Sequence, residues 1–418
     1  MSDSIDSQPA TVRRVNHLIL FCMAIVVLFC SAAVVRAHEL SGYAGGQTRL
    51  FFQEAQFPGQ RDHSASLVLR PEYYHEFESG SSVAFTPFFR LDSQDSRRTH
   101  FDVREMTYLH LADEFELRVG VRRVFWGVTE FQHLVDVINQ TDLVENPDTE
   151  DKLGQPMVNL SFARDWGTLD LFWLPYFRER TFPGRGGRLR FATVLDTDNV
   201  LYESNAQEWN QDFAVRYSKV IEDLDLGLAW FHGTSRDPSF VFAFGPGGVP
   251  QGKLLYQQID QVSLDASYVA DAWLLKLEAL YRAGQGNRRG PQADDYAALT
   301  GGFEYTLYGL FDLGWDLGLI AEYLYDERGD DALTPFENDV GLGARLAFND
   351  VQSTEILLGM IQDIDTPARY VSVEASRRLG SRWTLEAEAR LFLDQPPSDF
   401  FVNLNRDDYV QLELQYHF

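Results

Sequence analysis

Five arginines, Arg70, Arg90, Arg104, Arg118 and Arg122, stand at polar positions of alternating segments in the first third of the chain. Ten acids hold the equivalent positions further on: Asp265, Glu278, Glu304, Asp316, Glu322, Glu355, Glu374, Glu386, Glu388 and Glu413. Two walls of unlike charge facing each other across water set up a transverse field, which orients dipolar solutes and sorts ions. The same charges paired with one another would make a salt-bridge lattice filling a closed interior. Either arrangement is electrostatic chemistry, in which no bond is made or broken.

Bond-making chemistry finds no support in the residues. The chain contains no Gly-x-Ser-x-Gly, His-Glu-x-x-His, phosphate loop or dinucleotide fingerprint. His63, His75, His100, His110, His133, His232 and His417 are scattered, with no pair at ligand spacing. Cys22 and Cys30, the two cysteines of the chain, lie in an amino-terminal apolar run, so the remainder has neither thiolate ligands nor disulfides. These absences lead us to expect no enzyme activity, no cofactor and no metal. With 62 acids against 36 bases, nucleic acid is not an expected partner either.

The elements that must hold these charges are strands. From about residue 40 the apolar residues recur with period two, as in Trp273-Leu275-Leu277-Ala279-Tyr281 against Lys276, Glu278 and Arg282. Eighteen such spans can be marked: 40–52, 64–77, 83–92, 99–111, 115–125, 156–164, 168–178, 209–218, 224–232, 257–269, 272–283, 295–308, 313–325, 338–348, 351–362, 369–378, 383–393 and 408–418. A count of sixteen would also fit. Trp273, Trp315 and Trp383 open the apolar faces just after short turns, and Tyr281 and Tyr323 stand eight residues later. Eight residues of tilted strand project to about 20 Å, the height of an apolar band between two aromatic girdles. Connections alternate short and long, with the longest at 126–155, 179–208 and 233–256. The pattern predicts an all-β transmembrane antiparallel barrel over residues 38–418, with both termini at the short-turn end. Before it, Arg13-Arg14, the apolar run Leu18 to Val35 and Val35-Arg36-Ala37 have the order of a secretory signal peptide, residues 1–37.

The last segment, Val410-Leu412-Leu414-Tyr416-Phe418 alternating with Gln411, Glu413, Gln415 and His417, ends the chain on an aromatic. It resembles the carboxy-terminal strand of Gram-negative outer-membrane proteins, and the whole chain resembles a porin-type barrel. That resemblance implies that Tyr416 and Phe418 are read by the barrel-assembly machinery, and that outer-membrane lipid and lipopolysaccharide surround the protein. More loosely, Gly-Val-Arg-Arg-Val-Phe-Trp-Gly within Arg118 to Asn139, followed by Asp136-Val-Ile-Asn139, is similar to uncharacterised families related to alginate-export-type barrels.

In barrels of the porin type the third external loop folds inward as a constriction. Here that loop, 126–155, carries Glu130, Asp136, Asp142, Glu145, Asp148, Glu150 and Asp151 against Lys152 alone. An acidic loop solvated outside the barrel is the other reading. Phe131 to Ile138 suits a helical turn with its apolar side on the wall, while Asp142, Glu145 and Asp148 match no calcium-loop spacing. The next loop begins with Arg180, Arg185, Arg188 and Arg190, which suit a mouth for anions and lipopolysaccharide phosphates equally well. The expectation is a channel for passive diffusion of small hydrophilic solutes or ions. Its rivals are a substrate-dedicated transporter or exporter and a non-conducting adhesin or scaffold.

Overall fold

Period-two alternation requires each strand to place one face against an apolar medium and the other against a polar one, and a closed barrel meets that requirement without leaving an edge. The computed structural model describes residues 37–244 and 250–418, and in it eighteen antiparallel strands close into such a barrel. The wall begins with β1 (Ala37–Phe51), β2 (His63–Glu76), β3 (Ser82–Asp92), β4 (His100–Leu111), β5 (Glu116–Arg122), β6 (Gln155–Arg164) and β7 (Gly167–Leu174). After β8 (Asp196–Tyr202), which stands apart, it resumes with β9 (Asp212–Ile221) and β10 (Leu224–Thr234). Beyond β11 (Ser239–Phe244) and β12 (Pro250–Tyr256), also apart, come β13 (Gln258–Ala270), β14 (Trp273–Asn287), β15 (Gly290–Leu310), β16 (Trp315–Asp326) and β17 (Asn338–Ala347). The last four are β18 (Glu355–Asp363), β19 (Arg369–Leu379), β20 (Trp383–Leu393) and β21 (Tyr409–His417). Each of the eighteen wall strands overlaps one of the eighteen expected spans, so the alternative count of sixteen is excluded.

Closure is made by β1 and β21, from Tyr43 opposite His417 to Phe51 opposite Tyr409. Along β14, Trp273, Leu275, Leu277 and Tyr281 are exposed outward while Lys276, Glu278, Leu280 and Arg282 are buried inward. Aromatic pairs ring the short-turn end, among them Trp166 on Tyr217, Trp273 on Tyr305, Trp315 on Phe348 and Trp383 on Tyr416. Among the described residues no helix is long and apolar enough to cross a membrane. Pro87, which has no N–H to give the ladder, sits at the one register shift between β3 and β4.

One feature of the sheets differs from the sequence reading. β8, β11 and β12 form a separate three-stranded sheet within the long loops, with β12 parallel to β8. β-Prone runs such as Phe240-Val241-Phe242 find partners there that local patterning does not reveal. Residues 1–36 of the expected signal segment lie outside the described residues, and Ala37 already opens β1.

Phe418 donates its backbone N–H to the Gly42 carbonyl at 3.0 Å, and the Tyr416 hydroxyl lies 2.8 Å from Arg382. Deleting Phe418 removes both an interfacial anchor and the last bond of the closing seam. Most of the folded band, recognised by its shift in gels between unheated and boiled samples, is expected to disappear. An unchanged amount of that band would count against a role in assembly.

Candidate functional site

The third long connection, residues 123–154, turns into the barrel and crosses its interior. It is fixed first by an apolar contact. Trp126, Val135, Val137 and Ile138 form one buried cluster with Phe172 and Leu174 of β7, Ala214 of β9, Ala229 and Phe231 of β10 and Ile259 of β13. Each fully buried aliphatic side chain of this kind contributes about 1.5–3 kcal/mol. Asn139 fastens the neck: its amide donates to the Arg122 and Leu153 carbonyls, 2.8 Å each, and its side-chain oxygen accepts the Val124 N–H at 2.8 Å. Phe131 to Ile138 makes a turn without becoming a helix: the N–H groups of Phe131 and Val135 find acceptors on the wall, and the Asp136 N–H bonds back to the His133 carbonyl at 3.4 Å.

Those acceptors are two buried carboxylates. Glu278 of β14 accepts the N–H groups of Val128 (2.7 Å), Thr129 (3.0 Å) and Val135 (3.1 Å), together with the Thr129 hydroxyl (2.7 Å). Glu322 of β16 accepts those of Glu130 (2.8 Å) and Phe131 (3.1 Å). An acidic loop is therefore held on an acidic wall through its backbone, since main-chain amides are donors whatever the side chains carry. Beside them Phe131 lies over Gly341 and Gly343 of β17 and Gly359 of β18; a Cβ on Gly341 would come 2.3 Å from its ring. Gly341→Val is expected to displace Phe131 and loosen the loop, so that residues 128–135 become easier to cleave with protease. Cleavage at the wild-type rate would show that the niche is not what seats it.

Of the five inward arginines, Arg90 and Arg104 meet loop acids, as closed pairs, and the other three find partners on the wall. Arg90 binds Glu145 (2.6 Å), and Arg104 binds Asp142 (2.6 Å) and Asp102 (3.1 Å). Arg70 pairs with Glu72 (3.3 Å), Arg118 with Glu116, and Arg122 with the Asn159 side chain (3.0 Å). Glu130 reaches the other wall, to Arg345 at 2.7 Å and Lys276 at 3.5 Å. The Asp136 side chain, 1% exposed, pairs with Lys152 of its own loop at 3.3 Å and so props the loop. Against the penalty of burial, Arg90, Arg98, His100 and Arg104 hold the Glu145 carboxyl down to about 2. Arg98 also donates to the Val144 carbonyl (2.9 Å), to Asp92 (3.0 Å) and to Gln47 (2.7 Å).

Asp142, Glu145 and Asp148 do not converge on a calcium ion, because Asp148 pairs with Arg390 of β20 at 3.0 Å. His100, Asp142 and Glu145 do present ligand atoms within 4.8 Å of one another. Arg90 and Arg104 already neutralise both carboxylates there, which disfavours a cation. In the next loop, Arg180 pairs with Asp237 (2.6 Å) and Arg188 with Asp407 (2.6 Å), and Arg190 is buried against backbone carbonyls. Of these four arginines only Arg185 is exposed.

Among the described residues, two chambers lie beside the loop. One, about 300 Å³, lies toward the long-loop end and includes Phe131, Phe336, Tyr370, Phe400 and Phe401. The other, about 470 Å³, lies toward the short turns against β17 to β21 and includes Glu355, Glu374, Glu386 and Glu388. They share Asp148, Glu150, Leu357, Glu374 and Arg390, so they meet where the loop passes β20. Arg390, 1% exposed and bonded to Asp148 and Glu374 (2.6 Å), was not singled out by the sequence reading. An inward arginine two and four residues after Glu388 and Glu386 was the available signal. Likewise the inward faces of β7 and β10 turn apolar toward the long loops, at Phe172 and Leu174 and at Ala229 and Phe231, which signals that something covers them there from inside.

Burial, then repulsion from Glu150 and Glu388, raises the Asp148 carboxyl to about 7, against the opposing pull of Arg390. Burial, then Glu145 and Asp148, raises Asp151 to about 7 as well. As the pH falls through about 7 both acids take up protons, and the junction loses negative charge. Because these carboxyls are raised, their docked state is favoured at low pH and disfavoured as pH rises through that value. Protection of residues 146–151 from protease is expected to rise as the pH falls from about 8 to about 6. A flat profile over that range would show that neither acid is buried by the docked loop.

No family model and no curated protein matches the chain. Among solved structures it is similar to a mutant of the Rh. blastica porin, 14% identical over 91% of this chain and 100% of that one, with a TM-score of 0.43. It is also similar to OmpT of Vibrio cholerae in its trimer form, 8% identical over 91% and 99% of the two chains, with a TM-score of 0.46. At such identities and scores the likeness bears on neither the site nor a solute.

Proposed function

We propose that the chain is an outer-membrane channel for passive diffusion of small hydrophilic solutes or ions, without chemistry of its own and without a cofactor. The observation that carries this reading is a pair of chambers that share lining residues beside the inward loop, one lying toward the long loops and one toward the short turns. Barrels of this size are too wide for their own wall side chains to fill, and the loop narrows the interior without occupying all of it. The outward apolar faces, the aromatic pairs near the turns and the terminal Phe418 support insertion in an outer membrane by the assembly machinery.

The test is a planar-bilayer recording of the purified chain. Discrete, roughly ohmic conductance steps are expected. A folded, inserted barrel that passes no current would end this reading and favour the scaffold or adhesin.

A further inference from the structure

The two chambers differ in a way that points to the solute. Toward the long loops the wall is aromatic: Phe240, Phe191, Phe400, Phe401 and Tyr370 touch in series, with ring centroids 5.4 to 6.0 Å apart. The cations of this chamber are largely tied up in pairs. Arg180 and Arg282 hold Asp237 at 2.6 and 3.0 Å, Arg328 holds Asp326 at 2.7 Å, and Arg236 holds Asp212 at 2.9 Å. A solute arriving from this side meets apolar ring surface and little net charge.

Past the junction the balance changes. Seven carboxylates line the second chamber against two guanidiniums, Arg345 and Arg390. Arg390 lies within 3.5 Å of Asp148, Glu374 and Glu388 together, so it orders the carboxylates without offsetting them all. Uncompensated carboxylates in a low-dielectric tunnel concentrate cations and repel anions. Ring faces add attraction for a cation and burial for an apolar body. A neutral polar solute would gain from neither chamber, and an anion would lose in the second.

Resting on the channel reading, we infer that this path takes amphipathic organic cations, small aryl- or alkylammonium solutes whose body lies on the aromatic run while the ammonium meets Glu374, Glu150 and Asp148. A chamber of about 300 Å³ is at the lower end for small-molecule sites, which suits one ring with a short side chain.

The experiment uses the intact chain in planar bilayers carrying potassium current, with four probes added on the long-loop side. Benzylammonium and ethanolammonium share the charge, whereas benzoate and benzyl alcohol share the ring. Benzylammonium is expected to interrupt the potassium current at roughly tenfold lower concentration than ethanolammonium, the ring supplying the difference. Benzoate and benzyl alcohol are expected to leave the current unchanged. Phe401→Ser should narrow the gap between the two ammonium probes, and Glu374→Gln should weaken both alike. Equal potency of the two ammonium probes, or stronger interruption by benzoate, overturns this inference while the channel reading stands. Absence of any current in the untreated protein overturns the channel reading itself.

Discussion

Excising residues 131–151 and bridging the ends with a short Gly/Ser segment is expected to raise single-channel conductance roughly three- to tenfold, because the limiting cross-section of a wide barrel is set by what crosses it. The loop spans the interior from Phe131 on β17 and β18 to Asp142 and Glu145 on β3 and β4. Its removal merges the two chambers into one lumen. The excision also uncovers Phe172, Leu174, Phe231 and Ile259, so thermal stability should fall even though every wall ladder is retained. Gel mobility before and after heating checks that the barrel has formed. Conductance unchanged in a folded barrel would place the ion path somewhere other than beside this loop.

Glu278→Ala has the second largest expected effect, and it acts on the same loop without shortening it. Three N–H groups and one hydroxyl lose a shared acceptor, and each buried donor left without a partner costs about 1–3 kcal/mol. The segment 128–135 should leave the wall, which would expose it to protease and make the open channel noisy. Glu278→Gln is a graded control. It keeps one acceptor oxygen but turns an NH₂ toward the same donors, so its effect should fall between wild type and alanine. If both variants resist cleavage as well as the wild type does, the apolar cluster around Val135 and Ile138 holds the loop by itself. Together with Gly341→Val, these variants separate the backbone anchor from the steric seat of Phe131.

The two effects also explain why the charge pattern in the sequence was only half informative. Alternation placed Arg90, Arg104, Glu278 and Glu322 on the inward face, and the structure finds them there. An inward position says nothing of what lies across the lumen. Arg90 and Arg104 are closed off by Glu145 and Asp142 of the loop, and Glu278 and Glu322 by the loop's own amides. The wall carboxylates of the second chamber to which no cation is paired among the described residues, Glu355 and Glu386, differ from these in nothing visible along the chain.

The sequence by itself determined the barrel class, the positions of the strands, the outward apolar faces and the order of short and long connections, while the structure chose eighteen strands over sixteen. What the sequence determined follows from period-two patterning and local turn chemistry, which act between neighbours in the chain. What only the tertiary structure decided is the interior. There Phe131 finds Gly341 about 210 residues along, Asp148 finds Arg390 at a sequence separation of 242, and Glu145 of the loop finds Arg90 of β3 at a separation of 55. Such contacts depend on where closure brings distant strands, and on a loop whose amides and acids must find partners once water is largely excluded. No spacing along the chain encodes that meeting.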